Sequence, residues 1–473
     1  MFYVVLLTPL LLAIISFMLN KKYWKLLSKI TIITYFILSC IIISLFITKY
    51  NFKNNIFYTN YSLDFNNFTS INTLFILLII ILAFLISYYA YYYFQKEIKH
   101  KVIWYEKLKE YNIFVNLFVF AMLLVASTSN ILIMWIWLEA TTIFTTFLIS
   151  FYNTKTSREA GWKYVILCSV WLTLWLFGII SLIVWWLESL NYLNIHTINI
   201  NILLVKTAFV FVLIGFWTKV GLFPMNSWLP DAHGKASTPV SAFMSSILLP
   251  LALYLIFRIK IIVDTMLWTT SFTNTVLLSF GVITLLYSWF IMLNQKHFKR
   301  MLAYSSTENM WIITIALWIF SPLSLKFWIL HLIAHSFLKS ASFMSVWNVL
   351  LEQKTWKFDN ISNILKNQKI TAILMILSLT MLVWIPISPL FISEIWIIYT
   401  LFEKNILLSI LLIFSLILVF VWFIVNFGKL FDNKKNDNTK FIKEKFTINS
   451  IFLPITLTLI LGIVSIVSIL FIF

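Results

Sequence analysis

Apolar residues recur in windows of about 20 along nearly the whole chain. They fall near 2–19, 30–48, 70–94, 111–128, 130–151, 162–187, 204–223, 240–262, 272–293, 302–320, 324–350, 370–403, 406–427 and 448–472. The runs are continuous, with no strict alternation of apolar and polar residues, so they predict membrane-spanning helices and not strands. In lipid the backbone must satisfy its own hydrogen bonds, which a helix does within one segment. The pattern therefore predicts an all-α polytopic membrane protein of about fourteen transmembrane helices. The first window lacks a small-residue cleavage site and reads as a retained first span, not a cleaved signal.

Proline interrupts two of these runs. Pro224, Pro230 and Pro239 are expected to break the seventh span, and Pro386 and Pro389 the run 370–403. The two breaks lie five spans apart, which suggests that spans four to eight are repeated as spans nine to thirteen. Repeats with an odd number of spans are inverted in the membrane. The chain then divides into an N-terminal three-helix region (1–110), a first five-helix repeat (111–262), a second (263–427), and a basic loop with the last helix (428–473).

Charge sharpens the topology. Basic clusters occur at 21–29, 95–109, 155–163, 296–300, 354–369 and 429–445, and with fourteen helices all fall on one side. The loops at 49–69, 188–203, 263–272 and 403–405 carry few positive charges. The positive-inside rule puts the basic side in the cytoplasm and both termini outside it, in a bacterial inner membrane by expectation.

Composition agrees. Hydrophobic residues make up 61% of the 473 and charged residues 11%, against roughly 25% charged in soluble domains. The net charge of +18 sits in short loops between spans, so it argues for topology and against nucleic-acid binding. Cys40 and Cys168 both lie in apolar runs and offer neither a disulfide framework nor a metal-ligand spacing.

Ionisable residues within the spans change the picture most. One at mid-bilayer costs about 3 kcal/mol on insertion scales and marks function by default. The candidates are Glu139 in MWIWLEATTIF, Lys219 in WTKVGLFP, His331, His335 and Lys339 in ILHLIAHSFLKSASF, and Glu394 in SPLFISEIW. His331, His335 and Lys339 are spaced i, i+4, i+8 on one helical face. The ends of this ladder are roughly 12 Å apart along the axis, and waters can bridge its steps. The simpler alternative is a polar seam that glues helices together. Glu139 and Lys219 are expected partners: a buried lysine whose carboxylate comes and goes is a proton switch. Glu394 follows the second break, where unwound backbone suits an ion path. A structural ion pair for Glu139 and a helix cap for Glu394 are the alternatives.

The stretches LEATTIFTTFLISFY, TKVGLFPMNSWLPDAHGKASTPVSA, FKRMLAYSSTEN, LIAHSFLKSASFMS and PISPLFISE resemble the antiporter-like membrane subunits. That family comprises the large proton-pumping subunits of complex I, their counterparts in membrane-bound hydrogenases, and multisubunit sodium/proton antiporters. The resemblance runs from about 110 to 400 and is closest to the hydrogenase-4 and formate-hydrogenlyase type. It implies that Glu139 is the fifth-helix glutamate, Lys219 the pumping lysine, His331, His335 and Lys339 the central relay, and Glu394 the terminal exit group. It also implies proton translocation within an energy-converting oxidoreductase complex. No redox cofactor is expected in this chain. Iron–sulfur, nickel–iron or flavin centres would belong to partner subunits, membrane and peripheral. A cation/proton antiporter subunit without a redox partner is the alternative, with Na⁺ as the other candidate ion. A scaffold that no longer pumps is a third reading.

Three positions depart from the family. Pro250 stands where many members carry a lysine, and Asn226 and Asn309 where histidine is usual. Both asparagines are expected near helix ends, with modest effects on hydration.

Tryptophan is abundant, at 21 residues against only 8 glycines. Trp171, Trp217, Trp311, Trp318, Trp347 and Trp384 each fall where the resembling family has glycine. Small residues let helices approach, and overpacking one site costs about 1–3 kcal/mol. Some bacteria read UGA as glycine where other translation tables write tryptophan. Several of these six letters are therefore expected to be glycine in the cell; an AT-rich genome with aromatic, lipid-facing helices is the plainer alternative.

Overall fold

The computed structural model describes residues 2–49, 70–128, 130–186, 202–293, 295, 297–353, 364, 369–383, 385–386, 388–431 and 448–472. Trp384 and most of the loops 49–69, 188–203, 354–369 and 429–445 lie outside them.

The described residues form helices and no β-strand. In chain order they are α1 (Phe2–Met18), α2 (Trp24–Lys49), α3 (Ser70–Lys99), α4 (Tyr105–Ser127), α5 (Ile131–Ile149) and α6 (Lys155–Trp186). There follow α7 (Ile202–Val220), α8 (Trp228–Lys235), α9 (Thr238–Phe243), α10 (Leu249–Leu267), α11 (Ser271–Leu293) and α12 (Phe298–Ile319). The last are α13 (Pro322–Gln353), α14 (Lys369–Leu382), α15 (Pro389–Lys404), α16 (Ile406–Phe431) and α17 (Ile448–Ile472). Ten segments among the described residues are long and apolar enough to cross a membrane, counting α7–α8 and α9–α10 as one each. Tyr3–Met18, Lys369–Leu382 and Phe452–Ser465 are shorter apolar helices. The count of fourteen crossings thus rests on the sequence pattern.

The first break forms where helical geometry fails locally. Gly221 takes φ +73, a conformation that side-chain-bearing residues rarely adopt. Pro224 follows without an N–H. The carbonyls freed here are bonded by side chains: Trp228 Nε1 donates to Thr218 O and Trp217 Nε1 to Phe223 O, both at 2.9 Å. This is the condition for non-helical backbone at membrane depth. Pro230 lies in the first turn of α8, and Pro239 in the first turn of α9. These two start helices, where a missing N–H costs nothing; Pro224 alone of the three sits in the gap. In the second break Pro386 lies between α14 and α15, while Pro389 opens α15 behind its N-cap, Ser388.

Pro250 has a visible structural consequence. It lacks the N–H owed to the preceding turn, and residues Met244–Leu248 form a π-helical turn just before it. α9, this turn and α10 make one bent span.

Burial ranks the spans. The apolar window of α13 is 100% buried and that of α9–α10 is 94% buried, whereas α5, α6, α11 and α16 bury under half of theirs. α13 packs against α3, α9, α12, α14, α15 and α17. The helix carrying the ladder is therefore the hub of the bundle. α6 and α7 approach closely at Gly215, where a Cβ would lie 2.6 Å from that of Trp175. That contact presses the Lys219 helix onto α6.

Candidate functional site

Lys219 lies one residue before the end of α7 and is fully buried. Its Nζ donates to the Tyr164 hydroxyl on α6 at 3.1 Å and sits 5.1 Å from that ring's centre. Thr145 on α5 donates to the same hydroxyl at 2.8 Å. Glu139, also on α5, accepts from Ser169 of α6 at 2.6 Å and from Thr142 at 3.4 Å. No ion pair joins Glu139 to Lys219. The two expected partners are within electrostatic reach of each other, and each also bonds α6: Lys219 donates to Tyr164, and Glu139 accepts from Ser169. Cys168, buried on α6, is within electrostatic reach of both.

His331, His335 and Lys339 are all fully buried on α13. His331 Nδ1 is 2.8 Å from Ser393 Oγ on α15, and its Nε2 is 3.1 Å from Asn309 Oδ1 on α12. One imidazole thus bridges two neighbouring helices. His335 has no hydrogen-bonding partner at either ring nitrogen. Lys339 Nζ donates to the Leu302 carbonyl of α12 at 3.2 Å. Glu394 is buried on α15, directly after the serine that holds His331.

The structure therefore gathers the six candidates into two clusters. One contains Glu139 and Lys219; the other contains His331, His335, Lys339 and Glu394. Lys219 makes no hydrogen bond to the second cluster. Between the two lie α8, which packs on both α6 and α12, and a 2.8 Å contact between Ser245 and Ser306.

Glu308 escaped the sequence reading, and Asn309 and Asn226 entered it only as departures from the family. Glu308, buried on α12, is within electrostatic reach of both Lys339 and Glu394. It lies in the quoted stretch FKRMLAYSSTEN, and an acid two turns into a predicted span was signal enough to find it. Asn309 was expected near a helix end. It lies mid-way along α12, 2% exposed, as a direct partner of His331. Asn226 is buried in the short turn before α8, with both side-chain polar atoms unpartnered. Among the described residues no group of three or more His, Cys, Asp or Glu is arranged to hold a metal ion.

The sequence from 128 to 420 matches the model of the transmembrane domain family described as NADH:quinone oxidoreductase/Mrp antiporter. The chain belongs to this family. It is 31% identical over 356 residues to a hydrogenase-4 component F homolog of Methylacidiphilum infernorum, covering 73% of this chain and 75% of that one. It is 27% identical over 276 residues to NADH-ubiquinone oxidoreductase chain 4 of Wickerhamomyces canadensis, covering 57% and 53%. Its fold is similar over 100% of its length to 96% of a chain in an archaeal membrane-bound sulfane sulfur reductase, with TM-score 0.83 and 19% identity. A chain of respiratory complex I from Thermus thermophilus gives TM-score 0.75 and 17% identity over 99% of this chain and 98% of that one. The antiporter-family chain is thus a multi-pass integral membrane protein.

Proposed function

We propose that this chain is a proton-translocating subunit of an energy-converting oxidoreductase complex of the hydrogenase-4-like or complex I-like kind. Protons load from the basic-loop side toward Lys219, pass Lys339, His335 and His331, and leave near Glu394. The observation that carries this reading is the His331 bridge. A buried imidazole holds α12 and α15 at its two nitrogens, one turn from His335 and two from Lys339 on the same helical face. A seam that only glues helices together would pair His335 as well, and among the described residues its ring nitrogens have no hydrogen-bonding partner. Similarity to hydrogenase-4 and quinone-oxidoreductase chains favours a redox-coupled subunit over a free-standing antiporter.

Redox centres belong to partner subunits in this reading. Electron transfer there acts on the buried charges of this chain electrostatically. The basic loops face the cytoplasm of a bacterial cell, and both termini lie across the inner membrane. The test is electron-transfer-driven acidification of sealed vesicles carrying the assembled complex. A pH gradient that a protonophore collapses supports the reading; electron transfer with only a sodium gradient, or with none, contradicts it.

A further inference from the structure

A second buried line of polar groups reaches the centre beside the one through Lys219. Glu97 lies near the end of α3, in a turn that also holds Lys96 and Lys99, and is 4% exposed. Its Oε1 accepts from the Tyr152 hydroxyl at 2.7 Å, and that hydroxyl is 2.6 Å from the Tyr93 hydroxyl. Its Oε2 is buried with no hydrogen-bonding partner. Lys299, at the start of α12, is 5% exposed and within electrostatic reach of Glu97. Its Nζ donates to the Ala236 carbonyl at 2.9 Å, at the junction of α8 and α9. Three residues earlier, His233 is fully buried and stacks on Phe343 of α13, with ring centres 5.3 Å apart. His233 is within electrostatic reach of both Lys299 and Lys339. Its two ring nitrogens, and the neighbouring hydroxyls of Ser237 and Thr238, have no hydrogen-bonding partner among the described residues. Buried polar atoms are almost always bonded to protein or ordered water. Four buried hydroxyl and imidazole atoms left open along one short stretch suit a bridging water file.

We infer that Glu97, Lys299 and His233 form a proton intake branch from the basic-loop side to Lys339, which works together with Lys219 and not in its place, so that turnover needs both. This rests on the proton-translocating reading given above. The Glu97 carboxylate takes up a proton and passes it to the neutral amine of Lys299. The resulting ammonium delivers it through water to one nitrogen of His233. The imidazolium releases a proton from its other nitrogen toward Lys339. Each step moves one proton and leaves every heavy-atom bond as it was. The branch brings α3, outside the five-helix repeats, into the translocation machinery.

The test measures electron-transfer-driven pumping by the assembled complex in vesicles. Glu97→Gln keeps the shape of the side chain and an acceptor for Tyr152 but cannot carry a proton. Lys299→Gln keeps a donor for Ala236 and stands in should the first variant not assemble. Each is expected to slow pumping at least about tenfold, the loss of one proton-transfer group. Glu97→Asp is expected to pump faster than Glu97→Gln, because it retains the carboxylate. A purely structural Glu97 gives the opposite order, since Gln is the better fit. Wild-type pumping in Glu97→Gln and Lys299→Gln, or Asp slower than Gln, overturns the branch. Lys339→Ala separates the two levels. If it is inactive while Glu97→Gln and Lys299→Gln pump normally, only the branch fails. If it pumps normally, the parent reading fails with it.

Discussion

His331 on α13 and Ser393 on α15 are joined by a 2.8 Å contact that ties the ladder helix to the half-helix after the second proline break. Glu394 is the next residue, so any movement of α15 changes both the exit acid and the histidine's partner. His331→Ala is expected to lower pumping at least about tenfold, as the relay loses a proton carrier. Ser393→Ala removes one neutral hydrogen bond, worth about 1 kcal/mol. Combined, the two changes should fall short of the product of their separate effects, because they remove one shared interaction. Pumping rates of the two single variants and the double variant check this; a multiplicative double variant would show that the contact is incidental.

Glu308 is expected to be as important as the six charged residues legible from the chain. It is the carboxylate that α12 presents to Lys339 and Glu394. Glu308→Gln should reduce pumping at least about tenfold, with partial recovery in Glu308→Asp. Stopped-flow dye measurements on vesicles read the rate directly, and an unchanged rate in Glu308→Gln removes this residue from the axis.

Tyr164 hydrogen-bonds Lys219, and Glu139 acts on the same lysine through its charge. Tyr164→Phe removes the hydroxyl at 3.1 Å and keeps the ring. A neutral hydrogen bond of about 1 kcal/mol predicts a loss of about fivefold in rate. Glu139→Gln should cost more, since it removes a charge and not only a bond. Equal small losses in both variants would argue for a structural role at Glu139.

The tryptophans make a chemical prediction. Trp311 is 1% exposed, and its indole N–H has no hydrogen-bonding partner. It presses on Gly281, whose missing Cβ would lie 3.2 Å from that nitrogen. Such burial of an open N–H is what a misassigned glycine would produce. Trp217 differs, because its N–H bonds Phe223 O in the first break. Peptide mass spectrometry is expected to find glycine at 311 and at several of 171, 217, 318, 347 and 384. Tryptophan at all six, or UGG codons throughout, ends the idea.

Much of the architecture was legible because lipid imposes a strong rule: long apolar windows become helices, and prolines mark the breaks. The buried ladder was legible for the same reason, since charges in apolar runs stand out. Lys299 did not stand out, because it lies in the basic cluster KHFKR and reads as a loop lysine, yet α12 carries it inward to the Ala236 carbonyl. Glu97 was hidden in the same way among Lys96, Lys99 and Lys101. Hydrogen-bond partners across helices were not legible. Nothing in the order of residues shows that Asn309 meets His331, or that Tyr164 bonds Lys219 while Ser169 bonds Glu139.

Lys219→Ala in the assembled complex decides whether the buried lysine drives translocation, with pumping followed in sealed vesicles beside complex assembly and electron transfer. The expected result is an assembled complex in which pumping is abolished. Normal pumping by the assembled Lys219→Ala complex would contradict it.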